Sequence, residues 1–201
     1  MQEFIKVPAS KRSLYSRGLV YGVGINDSEY ITNPKINGKT VTCPIYKRWV
    51  GMIERCYSKH YQKKYPTYKG CSVCDEWLHF SNFEKWAVEN YIEDYHLDKD
   101  LKIKGNKTYS PDCCLFIHGS INLLITNRSK NKGHLPDGVA FHKPLSKFRS
   151  QISIDSKKIH IGYFDKAIEA SDAYIKAKNT EILRKSEQYP ELAEFLLSHM
   201  I

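Results

Sequence analysis

The chain has 201 residues, a net charge of +9, 41% hydrophobic residues and 12% aromatics, a composition that excludes disorder over most of its length and suits one large domain or two small ones. No stretch approaches the ~20 consecutive apolar residues needed to cross a bilayer, and residues 1–18 hold no apolar run of signal-peptide length, so a soluble, cytoplasmic protein with no membrane partner is expected. In that compartment the six cysteines read as thiols or metal ligands rather than disulfides.

In chain order, residues 1–40 read as a basic N-terminal arm with short extended pieces and turns, the last at Ile36-Asn37-Gly38-Lys39. Residues 44–62 read as a helix, because Tyr46, Trp49, Ile53 and Tyr57 recur at helical spacing. Lys47, Arg48 and Arg55 fall off that stripe. Tyr65 to Gly70 is a loop. A second helix covers Phe80 to Asn90, with Phe80, Phe83 and Trp86 on one side. Ser81 is its expected N-cap, with Glu84 completing a capping box. His96 to Leu101 reads as a short strand, Lys102 to Thr108 as a loop, Cys114 to Ile117 as a second strand, and Ser120 to Asn127 as a helix capped by Ser120. Arg128 to Gly133 is polar and basic and marks the expected domain boundary. Three short strands follow, at 138–142, 147–154 and 158–164. A helix then runs from Lys166 to about Glu187, with Ile168, Ser171, Ala173, Ala177 and Leu183 suited to packing on the sheet. A short helix ends the chain. The expected organisation is an arm (1–40), a first module (41–133) and a second (134–201).

The charge is unevenly spread. Residues 1–70 carry 13 Lys+Arg against 4 Asp+Glu, residues 71–133 carry 8 against 9, and residues 134–201 carry 10 against 9. The excess sits in the first third, where it attracts polyanions whatever their sequence. The plain alternative is a generic basic protein kept soluble by its lysines.

The strand, loop, strand, helix unit at residues 96–127 suggests metal chemistry. Cleaving a phosphodiester needs a divalent metal to stabilise charge and a base to activate water. Mg²⁺ or Mn²⁺ takes few protein oxygens and keeps several waters. Asp98 at a strand end and Asn122 on the following helix are the expected pair of metal ligands.

The run LDKDLKIKGNKTYSPDCCLFIHGSIN, preceded by RWVGMIERCY and VCDEW, resembles phage-encoded HNH (His-Me finger) endonucleases over roughly residues 40–132. The resemblance implies a ββα-metal fold, hydrolysis of DNA, and a homing or selfish-element role in a bacteriophage. It assigns Asp98 and Asn122 as ligands to the divalent metal and Asn106 as the residue bracing the loop. The sequence departs from the family at one position: Lys99 stands where the family has its catalytic histidine. Lysine is protonated at neutral pH unless its surroundings shift it strongly, and Asp98 and Asp100 flank this one. Three readings stay open. Lys99 stabilises transition-state charge, or His96 or His118 serves as base, or the site is inactive and only holds DNA. The plain alternative for Asp98-Lys99-Asp100 is a solvated charge cluster.

The cysteines pose a separate question. Cys71 and Cys74 form a CxxC, and Cys113-Cys114 follows about forty residues on. Structural zinc usually takes two closely spaced pairs of Cys or His, and adjacent cysteines make a poor second pair. Cys71, Cys74 and Cys114 with Cys56 or His118 are the candidate zinc set. The alternative is that these are small buried apolar residues.

Residues 136–178 resemble the AP2 DNA-binding domain, through Gly138-Val139, the Ile159 to Phe164 strand and the helix start Glu169-Ala170-Ser171-Asp172-Ala173-Tyr174. The resemblance implies a three-stranded antiparallel sheet packed on one helix and reading duplex DNA. Strand alternation puts Phe148, Ser150, Ile152, Ile154, Ile159 and Ile161 toward the helix. It puts Lys147, Arg149, Gln151, Ser153, Lys158 and His160 outward, with Lys143 in the preceding turn. That outer face suits a major groove, where Arg pairs with guanine and Gln with adenine. Its alternative is an ordinary solvated sheet face.

The fold class expected is α+β, an HNH-like nuclease module followed by an AP2-like sheet and helix. The function expected is metal-dependent cutting or nicking of double-stranded DNA. A catalytically inactive DNA-binding regulator is the rival that Lys99 favours, and a phage protein that engages a host protein is the third class.

Overall fold

The computed structural model describes residues 4–92, 95–125, 135–155 and 157–201. The chain is mixed α and β, with small sheets, and divides into two compact units, Met1–Phe116 and Ile117–Ile201. Arg128 to Gly133, the expected boundary, lies outside the described residues.

The first unit opens with a short helix α1 (Lys11–Tyr15), capped by the Ser10 side chain accepting from Ser13 N. A two-residue hairpin follows, β1 (Lys35–Ile36) with β2 (Lys39–Thr40). Asn37 and Gly38 both take positive φ, 51° and 76°, the backbone that such tight hairpins demand. The described residues 4–40 are built into the fold rather than set apart as an arm. Tyr30 belongs to the hydrophobic core, and the Arg17 guanidinium donates to the carbonyls of Asn26, Ser28 and Tyr30 at 2.9, 2.6 and 2.8 Å.

The expected helix over 44–62 is two helices, α2 (Pro44–Tyr57) and α3 (Lys59–Lys64). The break is at Ser58, whose extended backbone and side chain, accepting from Tyr61 N, cap α3. A hydroxyl that satisfies an orphan N–H favours a new start over an unbroken helix. Next come β3 (Ser72–Val73), α4 (Phe80–Asn90), β4 (His96–Asp98), β5 (Thr108–Tyr109) and β6 (Leu115–Ile117). β3 pairs in parallel with β5, and β4 pairs with β6. The division between the units falls within β6.

Trp49, Ile53, Trp77, Phe80 and Phe83 are fully buried and form the centre of the first unit. Each such side chain contributes roughly 1.5–3 kcal/mol by leaving water. Trp86 stacks on Phe116 at 5.6 Å. The cap on α4 differs from the one expected. His79 holds the N-cap position without a side-chain cap bond, and the carboxylate of Asp27, far away in sequence, accepts from Ser81 N (2.8 Å) and Ser81 Oγ (2.7 Å). Glu84 is drawn instead to the Tyr30 hydroxyl (2.7 Å) and Lys6 (2.8 Å). A better-placed carboxylate from another segment displaces the local capping box.

The second unit begins at Ile117, the last residue of β6, and continues into α5 (Gly119–Ile125). A three-stranded antiparallel sheet follows, β7 (Val139–His142), β8 (Lys147–Ile154) and β9 (Lys157–Phe164), in the order β7-β8-β9. The long helix α6 (Ala167–Gln188) packs against all three strands, and α7 (Ala193–Leu197) packs against α6. Val139, Ser150 and Ile152 of the sheet and Ala170, Ser171 and Ile182 of α6 are buried. Gly138 takes positive φ, 73°, and a Cβ there would collide with the Tyr174 ring of α6.

The buried stripe of α6 is not the one its apolar residues suggest. Ile168 is 61% exposed and Leu183 45%, while Lys178, Glu181 and Lys185 are buried. Glu181 pairs with Arg184 at 2.6 Å, and Lys185 with Asp155 at 2.8 Å. Pairing allows charged side chains into a stripe where hydropathy alone would put the isoleucines.

Candidate functional site

Asp98 ends β4 and is 8% exposed. One carboxylate oxygen, Oδ1, accepts from Asp100 N at 2.9 Å and Leu101 N at 2.7 Å. This closes the turn that follows the strand. The other oxygen, Oδ2, accepts no hydrogen bond among the described residues. Burial raises the Asp98 pKa, and the two backbone bonds partly offset the rise.

Lys99 is 6% exposed and Asp98 is buried beside it, while the Asp100 side chain stays half-exposed, so only the Asp100 end of the cluster is solvated. Lys99 Nζ donates to Asp100 Oδ1 and to the Asn106 carbonyl, both at 2.7 Å, and lies 5.9 Å from the Tyr109 ring. The carboxylate, the carbonyl and the aromatic ring together hold the Lys99 side chain in place. Asn106 holds the loop closed: its Nδ2 donates to Lys99 O (2.9 Å) and Thr108 O (2.6 Å), and its Oδ1 accepts from Thr108 N (3.0 Å). His96 is exposed on β4.

In the second unit, the His118 carbonyl accepts from Ile121 and Asn122, starting α5. Ser120 lies inside the helix rather than capping it, and His118 Nδ1 meets its Oγ at 2.8 Å. Asn122 is half-buried on α5.

Among the described residues no group of three His, Cys, Asp or Glu is arranged to hold a metal ion, and this covers Cys56, Cys71, Cys74 and Cys114. Cys71 and Cys74 flank the two-residue strand β3. Three positions apart on extended backbone, they point to opposite faces. Cys56, Cys71 and Cys114 are buried. Burial pushes the Cys56 thiol up to about 12, with the neighbouring Cys71 adding to it, and Cys114 also to about 12. They behave as small apolar core residues.

The sheet of the second unit presents a different kind of site. Register partners point to the same face. Arg149 pairs with Tyr163, Gln151 with His160 and Ser153 with Lys158, while Lys147 pairs with His142. The buried residues Val139, Ser150 and Ile152 alternate with these and face α6. The outer face thus carries Lys147, Arg149, Gln151, Ser153, Lys158 and His160. Ile159 lies opposite Ile152 on the inner face but at its exposed margin, 44% open. Lys147 Nζ is 3.3 Å from Asp165, and Lys143 is exposed in the turn before β8.

Strict alternation misses two residues of this face. The register shifts between Ser150 and Gln151, so that Ile161 is an extra residue on β9. The bulge puts His160 and Tyr163, three apart, on one side. Their rings lie 4.6 Å apart, and His142 stands 4.9 Å from Tyr163 on the other flank. The signal for His142 is present in the sequence, since it pairs with Lys147 across the first hairpin. Tyr163 can be found only by recognising the bulge. Arg149 Nε and His142 Nδ1 are shielded from solvent, and neither has a hydrogen-bond partner among the described residues.

No helix among the described residues is long and apolar enough to cross a membrane. Comparison of the chain with protein-family models, curated proteins and solved structures found no match.

Proposed function

We propose that the chain binds double-stranded DNA through the outer face of the β7-β8-β9 sheet, and that it is an HNH-type endonuclease that cuts or nicks that DNA with a divalent metal. The observation that carries the reading is the single sheet face holding Arg149, Gln151, Ser153, Lys158 and His160 beside the His142 and Tyr163 rings. Arg and Gln are the side chains that pair bidentately with guanine and adenine, and a two- or three-stranded ribbon fits the major groove. Lys158 and Lys143 suit phosphates. An unmet buried polar group costs about 1–3 kcal/mol. A bound partner that re-aims Arg149 and His142 would recover part of that cost.

The AP2-like sheet supplies grip and site preference, and the HNH-like residues supply cleavage. Asp98 suits a metal because its Oδ2 is unspent while Oδ1 fixes the side chain in place. Asn122 is the second ligand proposed for Mg²⁺ or Mn²⁺. Such an ion, when bound, stabilises charge on the phosphate and the leaving oxygen. Asn106 holds the loop, and Lys99 braces the same loop through Asp100 and the Asn106 carbonyl.

Lys99 also favours a second reading, a DNA-binding protein without cleavage. Its ammonium is already engaged by Asp100 and the Asn106 carbonyl, which leaves the position without a general base. Two assays decide. Each good bidentate pair is worth ~1–3 kcal/mol, so Arg149→Ala should weaken binding to a preferred duplex by roughly 5- to 150-fold. Unchanged affinity would remove the sheet from the interface. Plasmid cleavage with Mg²⁺ or Mn²⁺ that disappears in an Asp98→Ala, Asn122→Ala double variant supports the nuclease. No cleavage by the wild type, with DNA binding intact, leaves the second reading.

A further inference from the structure

In the first unit, the segment between Glu54 and Asp75 carries Arg55, Lys59, Lys63, Lys64 and Lys69 and no acidic residue. The structure gives this run a shape. α3 starts on the Ser58 cap, and Gln62 Nε2 ties it down by donating to the carbonyls of Cys56 (2.6 Å) and Tyr68 (3.4 Å). The Tyr61 ring packs on Tyr65 at 4.7 Å and on Tyr68 at 5.7 Å, which locks α3 to the turn at Pro66–Tyr68. Lys107, at the start of β5, donates to Thr67 O at 2.8 Å and so adds its cation to the same surface.

The lysines on this surface are open to solvent, although Lys107 also donates to Thr67 O and Lys64 lies 5.2 Å from the Tyr65 ring. Lys59, Lys63, Lys64, Lys69 and Lys107 are all exposed, and none forms an ion pair among the described residues. Elsewhere the lysines at 6, 99, 147 and 185 each have a carboxylate partner. Arg55 is the exception within the run: it is half-buried beneath Tyr68 and supports the surface from below. A cluster of unpaired ammonium groups on a braced helix and turn costs self-repulsion that an anionic partner would relieve.

We infer that the surface formed by α3, the Pro66–Tyr68 turn and Lys107 is a second DNA contact, gripping the phosphate backbone of a duplex without regard to sequence. The inference rests on the proposed DNA-binding function and adds a separate surface, in the other unit, with a separate task. The partner is a duplex backbone rather than a single strand because the tyrosines are packed on one another. Single-strand binders need open ring faces on which bases stack; Tyr61 and Tyr68 are half-buried, and the exposed Tyr65 already packs on Tyr61 at 4.7 Å and has the Lys64 ammonium 5.2 Å from its ring. Point charges suit phosphates and carry no base code.

The test uses the full chain with Lys59, Lys63, Lys64 and Lys69 changed to Gln, beside a separate Arg149→Ala, Gln151→Ala variant. Affinity for a preferred and a random duplex is measured across a salt series. Each phosphate left without its lysine should lower the slope of log affinity against log salt by roughly 0.9, so the lysine variant should lose up to ~3.6 on both duplexes and keep the wild-type preference between them. The sheet variant should lose the preference and keep most of the slope. An unchanged urea midpoint shows the lysine variant folded. A wild-type slope in the lysine variant, with the sheet variant impaired, overturns the inference and leaves the proposed function standing. Absence of any duplex binding by the wild type overturns both. Tighter binding of a single strand than of a duplex, abolished in Tyr65→Ala, overturns the duplex assignment in favour of base stacking.

Discussion

Replacing Asp98 by Asn and by Ala separates what this residue does for the fold from the metal-binding role proposed for it. Its Oδ1 accepts two backbone N–H groups, from Asp100 at 2.9 Å and Leu101 at 2.7 Å, and Leu101 is fully buried. Asp98→Ala leaves both donors without that acceptor. An unmet buried donor costs ~1–3 kcal/mol, so the alanine variant should lose roughly 2–4 kcal/mol in urea unfolding. Asp98→Asn keeps an acceptor oxygen at the same place and removes the charge. Burial raises the pKa of Asp98 in the folded chain, so the ionised carboxylate opposes folding at neutral pH. The stability gained by protonating it is fully present below the unfolded pKa and is lost as pH rises through the folded one. The asparagine variant should therefore equal or exceed the wild type in stability at neutral pH, and the gap should close on acidification. Metal-dependent cleavage should be lost all the same, because a neutral amide is a poor substitute for a carboxylate on a hard cation. An asparagine variant as unstable as the alanine variant would refute the account of the turn. A gap that widens toward acid pH would refute the account of the charge.

Other outcomes follow from single contacts. Asp27→Ala removes the acceptor for Ser81 N and Ser81 Oγ at the start of α4 and should cost about 1 kcal/mol, within the ~0.5–2 typical of caps; Asp27→Asn should cost less, and thermal or urea unfolding reads both. Gly138→Ala adds a Cβ to a positive-φ position beneath the Tyr174 ring. With backbone strain of ~1–2 kcal/mol and overpacking of ~1–3, it should lose roughly 2–4 kcal/mol. Combining it with Tyr174→Ala should cost less than the sum of the two single changes.

The second unit is legible in its sequence because its signals are local. Period-two alternation over 147–154, turn residues on either side and a long helical stretch after them define β7 to β9 and α6 within a residue or two. In the first unit α4 is legible for the same reason, with Phe80 and Phe83 at helical spacing. Contacts between distant segments are not legible. Nothing near Ser81 announces that Asp27 will cap its helix, and nothing near Tyr30 announces that it will enter the core and bind Glu84. Charge also misleads. Lys178, Glu181 and Lys185 look solvent-facing until their positions on α6 place them in the buried stripe. At the candidate site, the spacing of Asp98, Lys99 and Asn106 marks a turn worth examining. That Lys99 folds back onto Asp100 and the Asn106 carbonyl depends on the path of the loop, which no periodicity encodes.

The extra residue at Ile161 makes the composition of the sheet's outer face a matter of counting. Were Ile161 paired in strict alternation instead of bulged, Tyr163 would turn toward the helix and Gly162 outward, exchanging an aromatic ring for bare backbone between the histidines. Deleting Ile161 would remove the bulge yet leave Gly162 inward and Tyr163 outward, so the face would keep its side chains and lose the local bend and twist. What the sheet presents to a partner thus depends on where the unpaired residue of β9 sits as much as on which residues the strand contains.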